Sequence, residues 1–392
     1  MVVRAAGAAN STKPRQTQNN GKAIQIKIVM TTRDDHLRLF SINKSKVLAG
    51  PHTALLHLTD ACNLRCLHCW YHSSLDTQAP RASKELGFDA IRKTLDDCHE
   101  LRVEEIRLSG KGEPTLHSRF PEIVSYASQK KFKLHLFTNA TFPPDWIKLI
   151  RHFEVLNIDL SAATEKQYLT LQSRGPGDHF KTVCKNLRLL AYLKKQKKKM
   201  PRLKLIYILN ALNYREVPRI FEIAGKMMIE ELFIKNIDTR RYNTSLRLTP
   251  EIASKTESII KKISGKKAFL KIDSNLKHNF KARGIYLDEL FMRPTQPAAC
   301  YMTWYYVFIT SLGHITPCCQ MQHTCIMGNI YRDSLKDVWR SQKFQRLRLR
   351  GSRSLFDHAI HECRSCCHYR ENDAIARQLR SVRNDAAGKT MP

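Results

Sequence analysis

The segment Thr59-Asp60-Ala61-Cys62-Asn63-Leu64-Arg65-Cys66-Leu67-His68-Cys69-Trp70 sets three cysteines in a C-x3-C-x2-C spacing, directly after an apolar run at 53–59. A short apolar run closed by polar residues predicts a strand. The cysteines therefore leave that strand at its C-terminal end. Thiolates are soft ligands suited to iron–sulfur clusters. Three of them leave one iron of a four-iron cluster without a protein ligand, and a small chelating molecule can bind that iron and receive an electron through it. Zinc is the other reading, because His68 or His72 can close a tetrahedral set. Unpaired core thiols are the third.

Outward from this segment, strand and helix patterns alternate. Phe88, Ile91, Leu95 and Leu101 recur at helical spacing, and 105–109 reads as a second strand followed by a helix at 120–129. Phe132, Leu134 and Leu136 alternate in a third strand, and Pro143 and Pro144 open a short helix. Strands follow at 155–160, 203–209 and 231–235, separated by a long helix after Asp178 and another at 217–228. This alternation predicts right-handed βαβ units and a parallel sheet. The expected fold is α/β, a partial (β/α)6 TIM-like barrel over 51–245, with its chemistry at the C-terminal ends of the strands.

The flanks read differently. Residues 1–50 are expected to be a basic tail and lead-in with an accessory strand at 23–30. Their first acidic residue is Asp34, and a disordered tail, an organelle transit peptide or a start at Met30 all fit. Residues 246–295 form a connecting helical segment with one strand at 268–272. A small cysteine-rich domain occupies 296–370, and 371–392 form a charged C-terminal tail or fraying helix.

The 392 residues are 42% hydrophobic, enough for a packed core, and 66 Lys+Arg against 35 Asp+Glu give a net charge of +31. Basic residues gather at 194–199 and 346–353. That balance favours an anionic partner such as RNA, an acidic peptide or a phosphorylated metabolite, or simply solvated faces. No RNA-binding aromatic motif interleaves with the charge, so nucleic acid is not the favoured partner. No apolar run reaches membrane-span length, and no secretory signal precedes the core. A cytoplasmic protein with no membrane partner is expected. The 12 cysteines, in a long chain without a signal, point to metal binding over disulfides. Cys98 and Cys184 lie in helical patterns and read as core.

On the cysteine motif and its neighbours, the chain resembles the radical SAM superfamily over about 53–240. The resemblance implies that Cys62, Cys66 and Cys69 hold a 4Fe-4S cluster. It also implies that S-adenosylmethionine (SAM) chelates the open iron, and that reductive cleavage gives a 5′-deoxyadenosyl radical. His68, before the third cysteine, would lie near the adenine. Ser109-Gly110-Lys111-Gly112-Glu113-Pro114 looks like the family's Gly-Gly-Glu-Pro loop, with Lys111 in place of the first glycine. Gly112 would let backbone approach a ligand, and Glu113 would lie near the SAM amine. The third strand ends in Thr138-Asn139 and the fourth in Asp159-Leu160-Ser161. Ser161 and Arg174 match the family's contacts to the SAM carboxylate, although a surface salt bridge also accounts for Arg174. Asn210 and Asn213 close the fifth strand, facing the adenosyl group or capping their own loop.

The C-terminal cysteines resemble a SPASM/Twitch domain. Cys300-x12-Gly313-x4-Cys318 precedes Cys363-x2-Cys366, with Gly328-Asn329-Ile330, Leu335 and Trp339 between. The resemblance implies one auxiliary 4Fe-4S cluster on Cys300, Cys318, Cys363 and Cys366. A zinc site on the same four is the alternative. Cys319, Cys325 and Cys367 stay unassigned. A fully ligated cluster suits an electron relay. The expected function is therefore a radical SAM oxidoreductase that oxidises a peptide or small metabolite, with a reduced flavodoxin or ferredoxin-type donor. An RNA-modifying radical enzyme and a non-catalytic cluster-binding protein are the competing readings.

Overall fold

Strand β1 (Thr53–His57) buries Ala54 and Leu56 completely and runs straight into the cysteine loop. The computed structural model describes residues 32–42, 44, 46–77, 83–172, 177–238, 242–264, 271–274, 299–353 and 368–388. After β1 come β2 (Glu105–Ser109), β3 (Lys133–Thr138), β4 (Val155–Asp159), β5 (Arg202–Leu209), β6 (Glu231–Asn236) and β7 (Lys271–Ser274). Each pairs in parallel with the next. Parallel strands need crossover connections. Helices Phe88–Glu100, Phe120–Gln129, His179–Lys195 and Val217–Lys226 supply them and bury Ile91, Leu95, Ile123, Leu187, Leu190, Ile220 and Phe221 against the sheet. Each such leucine or isoleucine stabilises by about 1.5–3 kcal/mol relative to exposure. The expected α/β barrel core is present, and β7 extends it by one strand beyond the six expected. The expected strand at 23–30 lies outside the described residues.

The C-terminal part does not stand apart as a second layer. Strand β8 (Tyr306–Ile309) pairs in parallel with β1, Thr53 against Tyr306, and all four of its residues are buried. Strands β9 (His314–Thr316) and β10 (Gly328–Asn329) add on antiparallel, giving a 10-stranded sheet in the order β10-β9-β8-β1-β2-β3-β4-β5-β6-β7. The cysteine-rich segment thus completes the open edge of β1, where unpaired backbone groups would otherwise face solvent. Gly313 turns the β8–β9 hairpin at φ +80, and a Cβ there would lie 2.7 Å from the Tyr331 ring.

Both flanks are partly helical. Arg33–Ser41 forms a helix capped by Thr32, whose hydroxyl takes the Asp35 N–H at 3.1 Å. Its Arg38 is fully buried because it pairs with Asp35 at 2.8 Å and Glu104 at 3.1 Å and donates to the Gly50 carbonyl. Tyr369–Gly388 is a second helix, and Ile375 and Leu379 pack with Leu39, Ile42, Met302, Trp304 and Phe308. A few apolar residues on each charged helix do this work, too few to lift either above its polar background. Among the described residues no helix is long and apolar enough to cross a membrane.

His57 marks the joint between β1 and β8. Its ring meets Phe308 edge-on at 4.5 Å, and its buried Nδ1 has no partner among the described residues. Burial, then the nearby Lys111 charge, pushes this imidazole down to about 3 from 6.5. The folded state therefore holds it neutral while the unfolded chain takes a proton below pH 6.5. Its contribution is complete above that pH and is lost as pH falls toward 3. The slope is at most about 1.4 kcal/mol per pH unit. Urea unfolding at neutral pH and in mild acid should show a steeper acid loss for wild type than for His57→Phe. Equal losses would remove His57 from the account.

Candidate active site

The cysteine loop is built by backbone bonds from two directions. Cys69 N donates to Cys66 O at 3.0 Å, and Leu67 N donates to Leu171 O at 2.8 Å. Tyr242 Oη donates to Cys69 O at 2.9 Å. From the other side, the loop after β2 presses on residues 59–61. Gly112 N donates to Thr59 O at 3.2 Å and Glu113 N to Ala61 O at 2.7 Å. Cβ atoms on Gly110 and Gly112 would fall 2.6 Å from Thr59 O and 1.8 Å from Ala61 O. The glycines thus admit the cysteine loop itself.

The three thiols sit close enough to act on one another electrostatically. Burial pushes Cys62 up to about 12 and raises Cys66 and Cys69; Cys69 also disfavours ionisation of Cys62, and both disfavour that of Cys66. Working against this, Cys62 Sγ accepts the Leu64 N–H at 3.4 Å, and Cys69 Sγ accepts Tyr71 N–H at 3.4 Å and His72 N–H at 3.3 Å. Such a set needs a cation to become thiolate, and N–H donors to sulfur suit a cluster. Single-ion zinc fits less well. Zinc–sulfur bonds of about 2.3 Å put tetrahedral sulfurs about 3.8 Å apart. Among the described residues, only Asp35, His52 and Glu104 bring three such ligand atoms within 4.8 Å of one another. His68 joins no such group among the described residues, and its Nε2 lies 3.9 Å from Asp159 Oδ2.

The other expected residues gather at the C-terminal ends of β2 to β5. Glu113 is 3% exposed. Burial pushes its carboxyl above the usual range, against hydrogen bonds that favour the anion. Oε1 accepts Thr115 N, Thr115 Oγ1 and Thr138 Oγ1, whereas Oε2 accepts only Asn139 N at 2.7 Å. A carboxylate oxygen has two lone pairs, so Oε2 keeps one for a further donor among the described residues. Asn139 Nδ2 donates to Asn63 Oδ1 at 2.9 Å and so ties β3 to the cysteine loop. Ser161 Oγ donates to Asp159 Oδ1 at 3.0 Å and accepts Ile208 N at 3.0 Å. Asn210 is engaged in its own turn, accepting Leu212 N at 2.9 Å, while Asn213 Nδ2 ties Ser161 O to Ile208 O. Capping, one of the two sequence readings, accounts for both asparagines. Arg174 lies outside the described residues.

Sequence reasoning passed over Asp159 and Gln172 as site residues. Gln172 accepts the Ser161 N–H at 2.7 Å, and its carbonyl takes the Cys66 thiol at 3.5 Å. Asp159 had a signal, a carboxylate at a strand's C-terminal end; Gln172, at a helix end, had none.

In the C-terminal region, Cys300 Sγ accepts Met302 and Thr303 N–H groups, though burial raises its pKa more than they lower it. Cys300, Cys318 and Cys319 border one apolar cluster, whereas Cys325 borders the main core. Cys319 Sγ lies 3.7 Å from His368 Nε2, the next residue in sequence after Cys367. Cys363, Cys366 and Cys367 lie outside the described residues.

Known proteins share both parts. The radical SAM superfamily profile matches residues 56–224, and the SPASM iron–sulfur cluster-binding domain matches 300–367. A Pyrococcus furiosus protein described as a tungsten-containing aldehyde ferredoxin oxidoreductase cofactor-modifying protein is 23% identical over 308 residues, covering 74% of this chain and 81% of its own. The antilisterial bacteriocin subtilosin biosynthesis protein AlbA of Bacillus subtilis is 22% identical over 306 residues, covering 76% of this chain and 61% of its own. The crystal structure of Streptococcus suis SuiB bound to SAM superposes with a TM-score of 0.59 at 15% identity, covering 85% of this chain and 76% of that one. The three thiols fall within residues 56–224 and the cysteine-rich hairpin within 300–367, and the chain thus carries a radical SAM superfamily domain followed by a SPASM domain, with 4Fe-4S clusters and SAM as the cofactors.

Proposed function

We propose that this enzyme oxidises a peptide substrate, with one auxiliary 4Fe-4S cluster on Cys300, Cys318, Cys363 and Cys366 as electron relay. The observation that carries the reading is the placement of Cys62. It lines a cavity of about 700 Å³ whose far wall includes Leu312 of the β8–β9 turn. The volume suits a side chain with flanking backbone. Cys62, Cys66 and Cys69 would hold the cluster, which would supply the electron for reductive cleavage of SAM and, through it, hydrogen abstraction from substrate. The chain's own residues would bind and orient. Glu113 Oε2 would take the SAM ammonium, His68 and Asn139 would flank the adenosine, and Ser161 with Arg174 would meet the carboxylate. Asn210 shapes the rim beside them, and Gly112 holds the loop against the cysteines. Peptide is favoured over a small metabolite because a solved relative of the same fold is described as bound to its precursor peptide and AlbA serves bacteriocin biosynthesis. A cytoplasmic location and a reduced flavodoxin or ferredoxin-type donor complete the reading.

Anaerobic reconstitution should load about eight irons per chain, two four-iron clusters. Dithionite and SAM should then yield 5′-deoxyadenosine. A fully loaded protein that forms none overturns the reading. Four irons per chain with full SAM cleavage would remove the auxiliary cluster alone.

A further inference from the structure

One wall of the cavity beside Cys62 takes no part in holding SAM in the reading above. Lys111, half-buried between Gly110 and Gly112, lines this wall. Its Nζ stands 4.9 Å over the Tyr71 ring. No carboxylate among the described residues pairs with it. Its position is not free to wander, because the glycines on either side are pressed against Thr59 O and Ala61 O. Tyr71 is fixed as well, by its N–H to Cys69 Sγ and by Gln322 Nε2, which donates to its Oη at 3.0 Å. The ammonium is therefore mounted on an aromatic face between the cysteine loop and the C-terminal segment. Among the described residues the ammonium thus has an aromatic face beneath it and no counter-ion, which matches a ligand that brings a carboxylate.

We infer that Lys111 is the specificity-determining residue that anchors an acidic side chain of the substrate peptide in this cavity. The inference rests on the peptide reading. In it, the peptide's carboxylate meets Lys111 Nζ. Arg65 and Lys84, exposed on the same cavity, steer the acid inward without fixing it. The anchoring bond is charge-assisted.

The test uses the reconstituted enzyme with SAM, immobilised and equilibrated with paired short peptides that differ only by Glu or Gln at matched positions. Recovery is read by mass spectrometry at ~0.15 M salt, where exposed charges are screened beyond about 8 Å. Wild type should enrich Glu peptides over their Gln partners by roughly tenfold to a hundredfold, the worth of one charge-assisted hydrogen bond. Lys111→Gln should bring the ratio to near one, and Lys111→Arg should retain most of it. Lys84→Gln should keep it, which separates an anchor from the general attraction of a basic protein. Equal recovery of the two peptides by wild type, or recovery of neither, overturns the inference, as does a ratio unchanged by Lys111→Gln. Wild-type 5′-deoxyadenosine formation is read in parallel. Its absence overturns the radical-enzyme reading and leaves the Glu-over-Gln ratio to judge Lys111 independently.

Discussion

Replacing Cys66 with alanine lowers 5′-deoxyadenosine formation to the background of dithionite and SAM alone, and halves the iron that reconstitution loads. Cys66 is the most enclosed of the three thiols, set between Cys62, Cys69 and the Gln172 carbonyl. Alanine removes a ligand that no neighbour replaces, since His68 faces Asp159. Cys98→Ala is the matched control. Cys98 is fully buried in the helix Phe88–Glu100 and packs in the main core. Its loss leaves a small cavity and should cost about 1 kcal/mol or somewhat more, with iron content and SAM cleavage retained. Iron per chain and 5′-deoxyadenosine by chromatography decide the outcome. Wild-type turnover in Cys66→Ala would sink the assignment of this thiol to the cluster.

The contrast between these two cysteines shows which features sequence carries. Cys98 was legible as core because Ile91, Leu95 and Cys98 share a helical face, and Cys66 was legible as a ligand because its spacing to Cys62 and Cys69 follows a strand. Both are local patterns. The pairing of β8 with β1 was not legible, because it joins residues some 250 positions apart through backbone hydrogen bonds, which side-chain identity barely specifies. Strand β8 reads as an isolated apolar run, and nothing in it names β1 as partner. The helix at 33–41 was hidden for a related reason. Arg38 counts as a surface charge in any composition, and its burial is tolerable because Glu104, at the start of the chain segment entering β2, joins Asp35 and the Gly50 carbonyl around it. At the site, the type of residue at each strand end was legible, but its partners were not. Asn210 and Asn213 share a sequence pattern with ligand-facing residues, yet the Asn213 amide holds the ends of β4 and β5 together and Asn210 closes its own turn.

Glycine 112 carries the largest effect expected outside the cysteines. A Cβ at Gly112 would lie 1.8 Å from Ala61 O, 2.4 Å from Ala61 C and 2.7 Å from Asp60 C. These are backbone atoms, so no rotamer change relieves the contact. Its φ is not in the left-handed region, and the cost is therefore purely steric. In Gly112→Ala, either residues 60–62 move away or the β2 loop does. Either movement breaks the Glu113 N to Ala61 O bond and displaces Cys62 relative to Cys66 and Cys69. Overpacking of this kind costs about 1–3 kcal/mol, and a shifted ligand weakens cluster loading as well. Gly112→Ala should therefore lower the midpoint of thermal unfolding, load less iron, and lose most SAM cleavage. Gly87→Ala separates this from a general intolerance of alanine. A Cβ at Gly87 meets only the Tyr331 ring, at 3.6 Å and beyond, an ordinary contact. That variant should match wild type in iron content and turnover. Should Gly112→Ala load iron and cleave SAM like wild type, the loop must have room that its contacts with Thr59 and Ala61 deny. The glycine would then serve an approaching ligand, as the sequence suggested, instead of holding the cysteine loop in place.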